Sequence, residues 1–143
     1  MEHKACILVI DDRERTVRVV QRLLEKAGYE VLTALDGVSG LVKARGEKPD
    51  LIILDIMMPG MNGYEVCRRL QRNQVTARIP VLMLTGKGQI DVPNIDDETI
   101  DICIQERMEG FESGALEFLS KPVTAKGLLD RVRALLWFGS LPT

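Results

Sequence analysis

The sequence predicts an α/β protein in which helices cover both faces of a parallel β-sheet. Short runs of large aliphatic residues alternate with segments in which apolar residues recur at three- and four-residue steps, the spacing of amphipathic helices. Two of the aliphatic runs, residues 5–10 and 51–54, are apolar throughout, as expected for strands buried on both faces. Because each parallel connection needs a crossover, strands that alternate with helices are expected to run parallel.

The length of the chain fits one compact domain. The chain has 143 residues, of which 45% are hydrophobic, and we expect a single domain over residues 1–143. Its 19 basic and 21 acidic residues nearly balance, so the composition carries no electrostatic signature of nucleic-acid binding. No apolar run approaches the ~20 residues of a membrane helix. The first residues also lead into a strand pattern without a signal peptide, so we expect a cytoplasmic protein without membrane contact.

The cysteines and the histidine of the chain argue against several kinds of site. Cys6, Cys67 and Cys103 are far apart and lie in apolar or helical patterns, which favours reduced thiols over disulfides or a metal site. His3 is the only histidine and lies near a terminus. A catalytic Ser-His-Asp or Cys-His arrangement therefore has little to build on.

The first strand is predicted over residues 5–10 and ends at the acid pair Asp11 and Asp12. A helix is predicted from about Thr16 to Ala27, and Gly28 supplies its C-terminal stop. The apolar positions that give this helix its inner face are Val17, Val20, Leu24 and Ala27.

The second strand is predicted over Tyr29 to Leu35, and the dipeptide Asp36-Gly37 after it is a turn signal. A second, short helix follows, and we expect Gly46 to end it. The apolar residues expected to share its buried face are Val38, Leu41, Val42 and Ala44.

The third strand covers Leu51 to Leu54 and delivers Asp55 to its end. The loop Met57 to Met61 contains Pro59 and Gly60, and a third helix is predicted from about Asn62 to Gln71. Its inner residues are expected to be Tyr64, Val66, Cys67 and Leu70.

The fourth strand, Ile79 to Leu84, ends at Thr85, and the fifth, Glu117 to Ser120, runs into Lys121. Between them, the segment from Gly86 to Glu106 is ambiguous. Alternation from residue 100 to 104 indicates a strand, but the spacing of the apolar residues from 100 to 111 also fits a helix, which we favour. The last helix carries Leu128, Leu129, Val132, Leu135 and Leu136 at helical spacing.

Five polar side chains are thus predicted at the carboxyl ends of strands, where open α/β sheets bind their ligands. Crowded carboxylates repel one another unless a cation is present, and a hard divalent ion such as Mg²⁺ is the simplest partner for them. Asp55 would act as the nucleophile on a phosphoryl group, with the developing charge stabilised by the metal and two side chains of the set. The five residues are Asp11, Asp12, Asp55, Thr85 and Lys121.

These residues lie in four motifs that resemble, in order and spacing, the receiver domain of two-component response regulators of the chemotaxis-regulator type. The motifs are Ile-Leu-Val-Ile-Asp11-Asp12, Ile-Leu-Asp55-Ile-Met-Met-Pro59-Gly-Met-Asn-Gly63, Val-Leu-Met-Leu-Thr85-Gly and Gly114-Ala-Leu-Glu-Phe118-Leu-Ser-Lys121-Pro122. The resemblance implies a flavodoxin-like sheet with strand order 2-1-3-4-5. It also implies a signalling switch, phosphorylated on Asp55 by a sensor histidine kinase or a histidine phosphotransfer protein, rather than a dedicated enzyme.

The same resemblance implies roles for the site residues. Mg²⁺ would be held by Asp12, Asp55 and the backbone carbonyl of Met57, with Asp11 acting through water. Thr85 and Phe118 would form a switch pair.

Further consequences of the resemblance concern the output of the switch and the peptide after the fifth strand. The switch would change the surface of the fourth helix, fifth strand and fifth helix, which would bind a downstream effector or a second copy. The Lys121-Pro122 peptide would be cis, and the protein would assist its own phosphorylation and dephosphorylation. The segment at about 86–106 is longer than this family usually has, which leaves the structure of the fourth helix open.

Two other functions fit parts of the pattern. A haloacid-dehalogenase-type aspartyl phosphatase also uses an acid after a strand, but it needs a second acid two residues later, where this chain has Met57. A phosphorylation-independent interaction module with a receiver fold typically lacks the acid pair, the phosphoacceptor or the lysine. This chain has all of them.

Overall fold

The computed structural model describes residues 4–85, 116–120 and 124–139 of the chain. Its strands form one parallel sheet in the order β2-β1-β3-β4-β5, which confirms the predicted fold and strand order. The strands are β1 (Cys6–Ile10), β2 (Glu30–Ala34), β3 (Leu51–Asp55), β4 (Val81–Thr85) and β5 (Leu116–Ser120). The helices of the described part are α1 (Glu14–Lys26), α2 (Gly37–Glu47), α3 (Gly63–Arg72) and a C-terminal helix (Ala125–Gly139).

The core lies in two layers, one on each face of the sheet. Alternate residues of β3 point in opposite directions, so Ile52 and Leu54 pack with α2 and α3, whereas Leu51 and Ile53 pack with α1 and the C-terminal helix. All four of these side chains are fully buried. The uninterrupted apolar run in the sequence therefore reflects a strand that is covered on both sides.

Helix α1 buries three of its predicted inner residues, Val17, Val20 and Leu24. The fourth, Ala27, is exposed because it is the residue that caps the helix. Gly28 follows with a φ of 99°, in the left-handed region that glycine adopts easily, so the chain leaves the helix where the sequence predicts.

The prediction for the inner face of α2 is wrong in part. Val38 and Val42 are 62% and 57% exposed, and the buried face consists of Gly37, Gly40, Leu41 and Ala44. The reason is the close approach of α2 to β1. A Cβ on Gly40 would lie 2.5 Å from Cδ1 of Ile10, so the helix carries glycine where it comes closest to this side chain.

The predicted ends of α2 also differ from the observed ones. Asp36 is the N-cap rather than part of a free turn, since its Oδ1 accepts a hydrogen bond from the backbone N–H of Ser39 at 2.7 Å. The helix continues through Gly46 to Glu47, and Lys48 ends it in the left-handed conformation, with a φ of 49°. Gly46 therefore lies inside the helix.

Helix α3 buries all four of its predicted inner residues. In the C-terminal helix, Leu128, Val132 and Leu135 are buried and the other two predicted residues are half-buried. The segment at 86–106, Cys103 and the Lys121-Pro122 peptide lie outside the described residues. Within the described residues, the longest apolar helical stretch falls short of what a bilayer crossing requires.

Candidate functional site

Three carboxylates meet at the carboxyl edge of the sheet. Asp11 and Asp12 directly follow β1, and Asp55 is the last residue of β3, the strand beside it. Oxygen atoms of the three side chains lie within 4.8 Å of one another. Asp11 and Asp55 are buried, with 0% and 2% of their surfaces exposed, whereas Asp12 is partly exposed. The strand register explains why the acids lie together. Ile10 of β1 pairs with Leu54 of β3, and an aspartate follows each of these two residues, Asp11 after Ile10 and Asp55 after Leu54.

Backbone hydrogen bonds hold the residues of this acid cluster in place. The N–H of Asp11 donates to the carbonyl of Ala34 at 3.1 Å, and the N–H of Arg13 donates to Oδ1 of Asp11 at 2.9 Å. The N–H of Ile56 donates to the carbonyl of Leu84 at 3.3 Å and so continues the ladder past Asp55. The positions of the acids thus depend on the sheet rather than on a free loop.

The chemistry of the acid cluster fits a hard divalent cation. Oδ1 of Asp12 is shielded from solvent and accepts no hydrogen bond from the described part of the chain. A buried carboxylate oxygen without a partner is unfavourable, and a cluster of three carboxylates adds mutual repulsion. Carboxylate oxygens are the ligands that Mg²⁺ prefers, and the group offers at least one oxygen from each acid.

The start of α3 packs directly against the peptide that carries Asp55. A Cβ on Gly63 would lie 2.6 Å from the carbonyl oxygen of Asp55 and 2.7 Å from Cα of Ile56, so no larger residue fits without a shift of the backbone. The N–H of Gly63 donates to the carbonyl of Ile56 at 2.9 Å, which closes the loop between them.

Asn62 fixes this start of α3 as its N-cap. Its Oδ1 accepts from the N–H of Glu65 at 3.0 Å, and its Nδ2 lies 3.4 Å from Oε1 of Glu65. Sequence reasoning assigned neither Asn62 nor Gly63 a role beside Asp55. The spacing of Asn62 and Glu65, which is that of a capping box, was the available signal.

The remaining predicted site residues lie on adjoining elements or outside the described part. Thr85 is the last residue of β4 and pairs with Ser120, one step beyond the pair formed by Leu84 and Asp55. Phe118 lies on β5 and is 36% exposed. Met57 is partly buried and packs against the α2 and α3 layer. Lys121 and the side chain of Thr85 are outside the described part, so within that part the structure shows three members of the predicted set together, the acids Asp11, Asp12 and Asp55.

Comparison with known proteins agrees with the resemblance to receiver domains that the sequence motifs indicate. The family model of the response regulator receiver domain matches residues 7–96. The chain is 45% identical over 130 residues to the DNA-binding dual master transcriptional regulator RpaA of Synechocystis sp., covering 91% of this chain and 48% of that protein. It is 37% identical over 132 residues to protein PilH of Pseudomonas aeruginosa, covering 92% and 98% of the two chains.

Among solved structures, the chemotaxis protein CheY4 of Vibrio cholerae superposes with a TM-score of 0.74 at 29% identity, covering 93% of this chain and 99% of that one. The chain thus spans nearly all of some similar proteins but only about half of RpaA.

Proposed function

Because the chain belongs to the response regulator receiver family, we propose that it is a switch in two-component signalling whose phosphoacceptor is Asp55. The observation that carries this proposal is the position of Asp55 at the end of the buried strand β3, within 4.8 Å of Asp11 and Asp12. The phosphodonor would be a sensor histidine kinase or a histidine phosphotransfer protein, as in two-component signalling generally.

Asp12, Asp55 and the backbone carbonyl of Met57 would hold Mg²⁺, with Asp11 acting through water. When bound, the ion supplies positive charge that offsets repulsion between the carboxylates and the incoming phosphoryl oxygens. The hydrogen bond from Arg13 to Asp11 keeps that carboxylate oriented toward the cluster, and the ion would give a partner to Oδ1 of Asp12, which has none among the described residues.

In the transfer step, an Asp55 carboxylate oxygen attacks phosphorus, and an acyl phosphate forms while the bond to the donor breaks with its electron pair on the donor. Burial of Asp55 limits access of water to this bond. Lys121 and the Thr85 hydroxyl would stabilise the transferring oxygens, since phosphoryl transfer depends mainly on positioning and electrostatics. The domain would thereby assist both its own phosphorylation and its dephosphorylation without being a dedicated enzyme.

The output of this switch would pass through Thr85 and Phe118 to the neighbouring surface. Phe118 is the partly exposed aromatic residue of β5, so a rotation of its ring would change what a partner encounters. The segment at about 86–106, with five acids between positions 91 and 101, would border this surface and favour basic partners. A downstream effector or a second copy would bind at this surface. We also propose that the 143 residues form one receiver domain and that the protein is cytoplasmic.

The decisive experiment is intact-mass analysis after incubation with acetyl phosphate, with and without Mg²⁺. The wild type should gain one phosphoryl group only with Mg²⁺, and Asp55→Asn should gain none. Asp50→Asn is the matched control, because Asp50 precedes the same strand at its opposite end, where its carboxylate accepts from the N–H of Cys6 at 2.8 Å. Phosphorylation of Asp55→Asn at the wild-type level, or its loss in Asp50→Asn, would overturn the assignment.

A further inference from the structure

A second candidate site lies between α2 and α3, away from the acid cluster. A groove of about 550 Å³ lies between the two helices and is open to solvent on one side, and none of the three clustered acids lines it. Four arginines line it: Arg45 from α2, and Arg68, Arg69 and Arg72 from α3. We refer to it as the arginine groove.

Among the described residues, few acids balance the positive charges of the arginine groove. Glu65 is the one acid in the described lining, and its Oε1 lies 3.4 Å from Nδ2 of Asn62, the N-cap of the same helix. Across the described ranges, no carboxylate comes within 4.0 Å of any of the four guanidinium groups. Arg68 and Arg72 are four residues apart on one helix, where like charges repel each other.

Arg68 has hydrogen-bonding capacity that the described residues do not use. Its Nε is shielded from solvent, yet it has no hydrogen-bond partner in the described part of the chain. The other polar lining groups are already engaged. The Thr76 hydroxyl donates to the carbonyl of Leu70 at 2.7 Å, and Oδ1 of Asn73 accepts from the N–H of Val75 at 2.9 Å. The arginines are therefore the groups left to bind something in the groove.

Helix stabilisation explains only part of this arrangement. Arg69 and Arg72 lie in the last turn of α3 and Arg45 in the last turn of α2, where cations interact favourably with the helix dipole. That effect requires neither a shared cavity between the helices nor the shielding of Arg68 Nε. Both features are expected if an anion bridges the two helices.

We propose that the arginine groove binds a small ligand with two adjacent phosphate groups, of the diphosphate class. The planar guanidinium fork matches phosphate oxygens in pairs, and cations from two facing helices can engage both phosphates together. The volume falls within the range of small-molecule sites. An acidic protein segment is the other anion to consider, but a groove of about 550 Å³ between two helices matches a compact ligand better than an extended peptide.

The test is calorimetric titration of the full chain with inorganic pyrophosphate in Mg²⁺-free buffer. The wild type should bind one pyrophosphate saturably, and inorganic phosphate should bind roughly tenfold more weakly. Arg68→Gln and Arg45→Gln should each lower the affinity by about tenfold. Arg68→Lys, which keeps the charge but loses the fork, should also weaken binding. Arg133→Gln is the matched control, since Arg133 is exposed on the C-terminal helix and does not line the groove.

Unchanged affinity in Arg133→Gln, together with wild-type phosphorylation of Asp55 in Arg68→Gln, would support a site separate from the acid cluster. Absence of saturable binding would overturn the proposal. Equal weakening by Arg133→Gln would reduce it to unspecific charge attraction, and tighter binding of a hexaglutamate peptide than of pyrophosphate would refute the diphosphate class. Far-UV circular dichroism of every variant excludes loss of folding as the cause.

Discussion

Replacement of Gly63 by alanine tests whether α3 fixes the position of Asp55. The new Cβ would lie 2.6 Å from the carbonyl oxygen of Asp55 and 2.7 Å from Cα of Ile56. Ordinary nonbonded contacts begin at about 3.5 Å, so α3 and the end of β3 must separate by roughly 0.9 Å. The atoms in the way belong to the backbone and cannot rotate aside. Overpacking of this kind destabilises by about 1–3 kcal/mol.

Gly46→Ala is the matched control, since it makes the same chemical change at a site with nothing within 4 Å. Gly46 lies inside α2, where alanine is favoured over glycine by about 0.5–1 kcal/mol, so this variant should be more stable than the wild type. Urea and thermal unfolding followed by circular dichroism measure both effects. For a chain of this size, roughly 3 °C per kcal/mol is expected, which gives a loss of about 3–9 °C for Gly63→Ala.

The same pair of variants separates stability from positioning. Gly63→Ala should also slow phosphorylation of Asp55 by acetyl phosphate, because the displaced peptide carries that residue, whereas Gly46→Ala should react at the wild-type rate. A Gly63→Ala protein with wild-type stability and rate would refute the argument from the close approach. Lower stability with an unchanged rate would leave Gly63 a structural role only.

Three further predictions concern other parts of the domain. Asp36→Ala should lower the free energy of unfolding by about 1 kcal/mol in urea denaturation, because it removes the N-cap of α2, while Asp36→Asn should retain most of it. Burial raises the pKa of the Cys6 thiol and the nearby Glu30 carboxylate raises it further, so less thiolate is present at neutral pH. Iodoacetamide should therefore alkylate Cys6 more slowly than a cysteine in a short peptide, and the rate should rise with pH. The Glu30→Gln variant should react faster than the wild type. Equal rates for Cys6 and the peptide cysteine would contradict this prediction. The Arg131–Glu117 ion pair joins the C-terminal helix to β5 but is about half exposed, so solvent weakens it. A double-mutant cycle should therefore give a coupling energy below about 1 kcal/mol. A larger value would show that the pair is better shielded than its exposure indicates.

The sheet could be predicted from the sequence because its central strands are buried on both faces. Uninterrupted aliphatic runs leave few alternatives, and the crossover requirement then makes the strands parallel. The inner face of α2 could not be predicted in the same way. Hydrophobic periodicity favours Val38 and Val42, whereas the short distance between α2 and Ile10 selects the glycine face, and that distance depends on how the helix packs on the sheet.

The acid cluster could also be predicted from the sequence, because parallel strands end at one edge of the sheet and acids that follow neighbouring strands must lie together there. The close approach of Gly63 to Asp55 could not be predicted, since it depends on the path of the intervening loop. The arginine groove joins Arg45 to three residues more than twenty positions away, a proximity that only the packing of two helices creates. The net charge of the chain gives no indication of the groove, because acids and bases that nearly balance over the whole chain can still be separated locally.

Helix α3 connects the two sites physically. Its first residue, Gly63, contacts the peptide of Asp55, and its later turns carry Arg68, Arg69 and Arg72. A helix of ten residues is about 15 Å long and moves largely as a unit, so a displacement at one end is transmitted to the other. Any ligand of the groove that displaces α3 therefore alters the surroundings of Asp55. Such a ligand would change the equilibrium constant for the modification of Asp55 by some factor. Thermodynamic linkage then requires that the modification change the affinity for the ligand by the same factor.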